Sequence, residues 1–307
     1  MTTCDSVLLI AFGGPEKPED IRPFLEIVTA GRRIPPERVE EVAHHYEAIG
    51  GRSPLNELTR RQADALRRVL GQEGIARPVY VGMRNWHPFL LETLAEMRDR
   101  GHHRALGIIL SSFQTEASWE RYVADVAAAR EKLGAGAPEV VFAPAWAEHP
   151  LFIDAMVARA ADALGRVPRS RHAEALLIFT AHSVPVAMAS GSPYARQLEA
   201  AARVIAGRAD HPRWQIAYQS RSGSPREPWL EPDVCDVLRG AKGEGIEDAV
   251  IVPIGFVCDH VEVLYDLDVE ARAVAAESGV RLQRAETAHD HPAFIAMLAD
   301  LVKRAPR

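Results

Sequence analysis

Three carboxylates, Glu262, Asp266 and Glu270, recur at a spacing of i, i+4 and i+8 near the end of the chain. On a helix each four-residue step drifts only roughly 40° around the axis, so all three side chains share one face. Like charges at this spacing repel and weaken a bare helix. A cation resting on the row, or moving along it, makes the arrangement favourable, so the pattern points to metal handling. The plain alternative is a solvated helix face. Two features favour chemistry. The row follows Ala249-Val250-Ile251-Val252-Pro253-Ile254, an apolar run that reads as a buried strand, with Gly255 permitting a turn. Open α/β sheets place their ligands at that end of a strand. Asp259 and His260, just ahead of the row, add two more ligand-type side chains.

His182 ends a second apolar run that begins at Leu176. If both runs lie in one parallel sheet, His182 and Glu262 leave it at the same edge and can face one cleft. A lone histidine there is ordinarily a hydrogen-bonded structural group; beside a row of acids it is a candidate for more. Imidazole can ligate a divalent metal or take a proton near neutral pH, and a carboxylate can do either with a different preference.

The elements that must position these groups alternate regularly. Strands are predicted over 7–12, 79–82, 105–111, 140–143, 175–180, 215–219, 249–253 and 280–284. Helices are predicted over 54–70, 89–100, 116–133, 150–164, 194–205, 232–243, 261–277 and 292–303. Such alternation implies an α/β fold of parallel sheets flanked by helices. Leu8-Leu9-Ile10 before Gly13-Gly14-Pro15 echoes Leu176-Leu177-Ile178 before Val184-Pro185. This suggests two similar Rossmann-like domains, 1–145 and 146–307, the second carrying the His/Glu site, with the exposed polar stretch 166–171 in the connection. No G-x-G-x-x-G or G-x-x-x-x-G-K-[ST] follows a strand, which argues against a nucleotide enzyme. Ser183 lacks the glycines of a nucleophile elbow.

The bulk composition excludes several classes. Hydrophobic residues make up 47% of 307, enough for a sizeable core, and the net charge of −6 with no basic block argues against nucleic acid. Cys4, Cys235 and Cys258 form no CxxC pair, and a four-thiolate iron–sulfur cluster needs one cysteine more. No apolar run reaches membrane-spanning length and no secretory leader is evident, so a soluble, cytoplasmic protein without a membrane span is expected. The pairs His44-His45 and His102-His103, and His289-Asp290-His291, lie in polar stretches and read as solvated surface. Cys258 reads as a small packed residue rather than a ligand.

Several separate motifs now align with one family. They are Gly13-Gly14-Pro15, Tyr46-Glu47-Ala48-Ile49-Gly50-Gly51-Arg52-Ser53-Pro54-Leu55, Gly82-Met83-Arg84-Asn85-Trp86-His87-Pro88-Phe89, Ala181-His182-Ser183-Val184-Pro185, Tyr218-Gln219-Ser220-Arg221, Pro228-Trp229-Leu230-Glu231-Pro232, and Gly255-Phe256-Val257-Cys258-Asp259-His260-Val261-Glu262. In this order, over nearly the whole chain, they resemble the ferrochelatases, class II porphyrin chelatases that insert ferrous iron into a porphyrin in haem biosynthesis. The resemblance implies two Rossmann-like domains with an active-site cleft between them. His182 and Glu262 match the family's catalytic pair. Asp266 and Glu270 match the family's line of acids leading from that pair, on a helix that includes a π-helical stretch.

The reaction replaces two pyrrole N–H protons with a divalent metal. His182 is the candidate proton acceptor, and Glu262 can exchange oxygen ligands with the arriving ion; direct ligation by His182 is the alternative. The cleft must also distort a flat macrocycle. Phe12, Arg84, Trp86, Tyr122 and Trp229 are the candidate porphyrin contacts, with Arg84 facing a propionate or an acidic residue. Iron is a substrate, and no resident cofactor is expected. The short, polar connector between Phe24 and Tyr46 resembles the monomeric type of Gram-positive bacteria that acts on coproporphyrin III. In that type a Tyr usually stands where this chain has Phe12, which cannot ligate iron, so protoporphyrin IX stays open beside coproporphyrin III. Asn85 stands where relatives often carry Tyr or His. The rival readings are a cobalt or nickel chelatase, a non-catalytic porphyrin carrier, and a two-lobed metabolite-binding protein. A carrier needs no base and no acid row.

Overall fold

The computed structural model describes residues 3–31, 34–222 and 226–305. They form two compact units, Met1–Ser111 with Ala117–Ala145 and Phe294–Arg307, and Ser112–Glu116 with Trp146–Ala293.

The first unit is built on strands β1 (Ser6–Ala11), β2 (Val79–Met83), β3 (Arg104–Ile109) and β4 (Glu139–Phe142), all parallel, in the order β2-β1-β3-β4. The central strand β1 is buried throughout. Helices on both faces of a parallel sheet leave its central strands no polar side, so a continuous apolar run is required. Helices α1 (Ile21–Thr29), α2 (Pro36–Ala48), α3 (Leu55–Gln72), α4 (Leu90–Asp99) and α5 (Arg121–Leu133) accompany it. The polar connector of the sequence thus holds two helices; Arg32 and Arg33 within it lie outside the described residues.

The second unit repeats the plan. Strands β5 (Leu176–His182), β6 (Trp214–Gln219), β7 (Asp248–Val252) and β8 (Arg281–Arg284) are parallel in the order β6-β5-β7-β8. The echo in sequence therefore falls on β1 and β5, equivalent inner strands of two sheets with the same winding. Helices α6 (Pro150–Leu164), α7 (Val186–Ser190), α8 (Tyr194–Arg208), α9 (Val234–Ala241), α10 (Val261–Leu264) and α11 (Arg272–Glu277) belong to this unit. The stretch predicted as one helix over 261–277 is α10, then a π-helical segment Asp266–Ala271, then α11.

The last helix, α12 (Pro292–Arg304), corrects the predicted boundary of 146–307, because it lies almost wholly in the first unit. Arg77 Nη1 donates to the Val302 carbonyl at 2.8 Å, and Lys303 pairs with Glu73 at 3.1 Å. A boundary read from where the strand pattern restarts cannot show that the chain returns.

Candidate active site

In the second unit β5 lies between β6 and β7, so the side chain that ends β5 stands between the exits of two neighbours. That residue is His182, in register with Gln219 at the end of β6. On the other side, the exit of β7 is held close by Gly255. Its N–H donates to the Thr180 carbonyl at 2.9 Å, and a Cβ at this position would sit 2.5 Å from both Cα and Cβ of Ala181. Glycine is needed here for close approach, and that approach carries the chain from β7 onto α10 beside His182.

Burial aims the acid row. Val263, Leu267 and Ala271 are fully buried in the core of this unit, packed with residues of β5, β7 and α9. They have the same four-residue spacing as Glu262, Asp266 and Glu270 and lie one position further along. Anchoring the apolar row therefore fixes where the adjacent acidic row points. The π-helical closure is explicit in the bond from Glu270 N–H to the Tyr265 carbonyl, 2.9 Å. Such an i→i+5 turn is rare and concentrates at functional sites. Glu270, at the far end of the row, is solvent-exposed.

His182 Nε2 lies 3.4 Å from Glu262 Oε1. The other ring nitrogen, Nδ1, donates to the Ser183 carbonyl, which directs Nε2 toward the carboxylate. The two side chains keep 28% and 38% of their surface, so the pair is open to a reactant. Burial disfavours a charged imidazole, but the Glu262 charge and hydrogen bond, with the Ser183 carbonyl, overcome it and raise His182 to about 9. Burial likewise opposes the Glu262 anion, and His182 prevails, holding it at about 2. The resting pair is an imidazolium facing a carboxylate.

The rest of the row differs. Burial, then the charges of Glu262 and Glu270, push Asp266 up to about 7 against the hydrogen bond it accepts from Ser220 Oγ. His260 Nε2 stands 3.9 Å from Glu262 Oε2, with its ring edge-on to Phe256. Burial lowers its pKa, and its Nδ1 is buried with no hydrogen-bond partner. Two imidazoles thus face the same carboxylate, one with its pKa raised and the other with its pKa lowered. Tyr194 OH, at the start of α8, donates to the His182 carbonyl at 2.8 Å.

Asp259 has a different task from the one its position suggests. Its carboxylate is buried against Arg284 (3.0 Å) and Thr287 Oγ1 (3.0 Å), and His289 lies 3.3 Å away. Arg284 also bridges to Asp268 in the π-helical segment at 2.7 Å. Burial opposes ionisation of Asp259, yet these partners hold it well below the usual carboxylate range. His289 is therefore part of a buried clamp, where a solvated surface was expected. His102, 18% exposed and bonded to Tyr80 OH at 3.0 Å, departs from that expectation too. Both sequences look polar because buried partners, distant along the chain, satisfy the rings.

Of the candidate porphyrin contacts, Trp229 belongs to the second unit. It is paired with Pro185 in an isolated bridge, close after His182, and its buried Nε1 has no hydrogen-bond partner. The others lie in the first unit. Phe12 follows β1, is 39% exposed, and stacks edge-on with Phe24, which also meets Trp86. Arg84 pairs with Asp125 and lies 4.4 Å over the ring of Tyr122, itself buried. Tyr122 thus supports Arg84 from beneath. Gly13, at φ 86, lets the chain after Phe12 turn where a Cβ would meet the Trp86 backbone at 3.0 Å.

Cys4, Cys235 and Cys258 are buried and form no disulfide. Burial, with Asp233 nearby, pushes the Cys235 thiol up to about 12. Among the described residues no group of three or more His, Cys, Asp and Glu side chains is arranged to hold a metal ion, and no helix is long and apolar enough to cross a membrane.

Comparison with known proteins agrees with this geometry. The sirohydrochlorin chelatase SirB from Bacillus subtilis subspecies spizizenii, solved in complex with cobalt, superposes with a TM-score of 0.56 at 9% identity, covering 97% of this chain and 93% of that one. DR2241 from Deinococcus radiodurans, described as similar to chelatases with two additional novel domains, gives 0.60 at 15% identity, covering 99% of this chain and 56% of that one. These likenesses establish the chelatase fold. In sequence, the chain is 45% identical over 301 residues to the coproporphyrin III ferrochelatase of Mycobacterium avium (strain 104), covering 97% of this chain and 87% of the relative. It is 43% identical over 303 residues to the ferrochelatase of Rhodopirellula baltica, covering 97% and 85%. The ferrochelatase family model matches residues 4–305, and the chain belongs to the ferrochelatase family.

Proposed function

We propose that this ferrochelatase inserts ferrous iron into coproporphyrin III, with His182 and Glu262 as the reacting pair and Glu262, Asp266 and Glu270 as the path by which iron reaches them. Fe2+ is a substrate, and two pyrrole protons leave for each ion that enters. The observation that carries the assignment of residues is the His182–Glu262 pair at the head of an acid row set on a π-helical turn.

The electrostatics suggest an order of events. A base must be neutral to accept a proton, whereas the resting His182 is held charged by Glu262. A ferrous ion drawn onto Glu262 removes that counter-charge. The imidazolium then gives up its proton to solvent water at its exposed side, and the neutral ring can accept one from a pyrrole nitrogen. Proton acceptance is thereby coupled to arrival of the metal. Trp229, in the same unit as the pair and bridged to Pro185 close after His182, is proposed as a porphyrin wall.

Coproporphyrin III is supported by the Mycobacterium avium relative and by that of Mycobacteroides abscessus, 44% identical over 301 residues and bearing the same description. Phe12 favours a second reading, protoporphyrin IX, because it offers no hydroxyl to the iron of the product. The test is anaerobic iron insertion with each porphyrin alone and in competition; preference for coproporphyrin III supports the first reading and preference for protoporphyrin IX the second. The chain is proposed to act as a soluble cytoplasmic monomer, on the sequence grounds already given.

A further inference from the structure

Two consecutive residues at the exit of β6 reach across to the acid helix. Gln219 Nε2 donates to the main-chain carbonyl of Glu262, and Ser220 Oγ donates to Oδ2 of Asp266. Gln219 is itself fixed, since its carbonyl accepts from Ser183 N–H at 2.7 Å and it stands in register beside His182. Ser220 takes φ 63, a left-handed conformation uncommon for a residue other than glycine. That turn brings its hydroxyl onto the carboxylate. One hydrogen-bonded frame therefore joins the histidine strand, the main chain at Glu262 and the side chain of Asp266.

We infer that Ser220 is a positioning residue for metal delivery, holding the Asp266 carboxylate at a fixed orientation in the row so that iron is handed toward Glu262. This rests on the reading of the row as the path of iron. A residue acting only through Asp266 should alter dependence on the metal and leave dependence on the porphyrin alone.

The experiment is anaerobic steady-state insertion, varying Fe2+ and porphyrin separately, with Ser220→Ala, Ser220→Gly, Ser220→Asn, Asp266→Asn and the double variant Ser220→Ala/Asp266→Asn. Ser220→Ala and Ser220→Gly should both raise KM for Fe2+, roughly three- to tenfold for one hydrogen bond to a carboxylate, with KM for porphyrin unchanged. Ser220→Asn, which tolerates the left-handed backbone and offers an amide donor, should recover most of the loss. In the Asp266→Asn background, loss of the hydroxyl should add nothing. Additive effects, or a change in porphyrin KM alone, would overturn the inference. So would a normal Fe2+ dependence in Ser220→Ala beside a raised one in Asp266→Asn, which leaves the acid path standing. If Asp266→Asn is also normal, the acid path itself fails.

Discussion

His182 Nε2 and Glu262 Oε1 lie 3.4 Å apart although one residue ends β5 and the other stands on α10, beyond the exit of the neighbouring strand β7. The contact depends on parallel pairing, which opens both strand ends on one edge, and on Gly255, which lets the exit of β7 press against β5. Each partner sets the charge of the other. A residue chosen as proton acceptor is thereby stored in its protonated form until something displaces its counter-ion.

His182→Ala should retain porphyrin binding and lose iron insertion, with kcat lower by about a hundredfold or more, as for removal of a general base. Absorbance titration of the free porphyrin and the insertion rate separate the two effects. Retained turnover would remove the role.

Glu262→Gln should bring the pKa of His182 down from about 9, because the anion that overcomes burial is gone. Titration of the histidine ring by NMR reads this directly, and an unchanged value would contradict the pairing. The same pair shapes stability. The folded pKa of His182 lies above its ordinary 6.5, so its contribution is complete below pH 6.5 and is lost as pH rises through about 9. The folded value of Glu262 lies below its ordinary 4.5, so the contribution is present above pH 4.5 and is lost as pH falls through about 2. Wild type should therefore show a stability difference over Glu262→Gln that is level between pH 4.5 and 6.5 and narrows toward pH 9 in chemical denaturation.

Gly255→Ala should cost about 1–3 kcal/mol of stability, the usual penalty for overpacking, since its Cβ would meet Ala181 at 2.5 Å. It should also lower insertion at temperatures where the variant is fully folded, because relief of the clash moves the β7 exit away from His182. Loss of stability with full activity would show that the contact does not set the pair.

Arg284→Met should destabilise the second unit by about 3–5 kcal/mol, as expected when one partner of a buried ion pair is removed. It leaves Asp259, 10% exposed, and Asp268 without the guanidinium that bridges them. Thermal unfolding measures this. A change below ~1 kcal/mol would mean that the clamp is solvated.

The strands were legible because a parallel sheet covered on both faces demands apolar runs, and all eight predicted runs contain or overlap an observed strand. The acid row was legible from spacing alone. The π-helical closure was not, since nothing in the residues distinguishes Tyr265 accepting from Glu270 rather than only from Val269; it entered through the family resemblance. Helices Ile21–Thr29 and Pro36–Ala48 escaped notice because prolines and charges mask their few buried positions, Ile21, Phe24 and Leu25 in the first and Ala43 and Tyr46 in the second. Ser220 lay inside a quoted motif without a role. Only the pairing of β6 with β5 reveals that its hydroxyl meets Asp266. His289 was misjudged for the same reason: its partner Asp259 is remote in sequence and near in space.

The most direct test is anaerobic insertion of Fe2+ into coproporphyrin III, followed by absorbance, for wild type and His182→Ala side by side. The account predicts turnover by the wild type and its loss in the variant, with porphyrin still bound. Porphyrin binding without turnover by the wild type, or equal turnover by both, would contradict it.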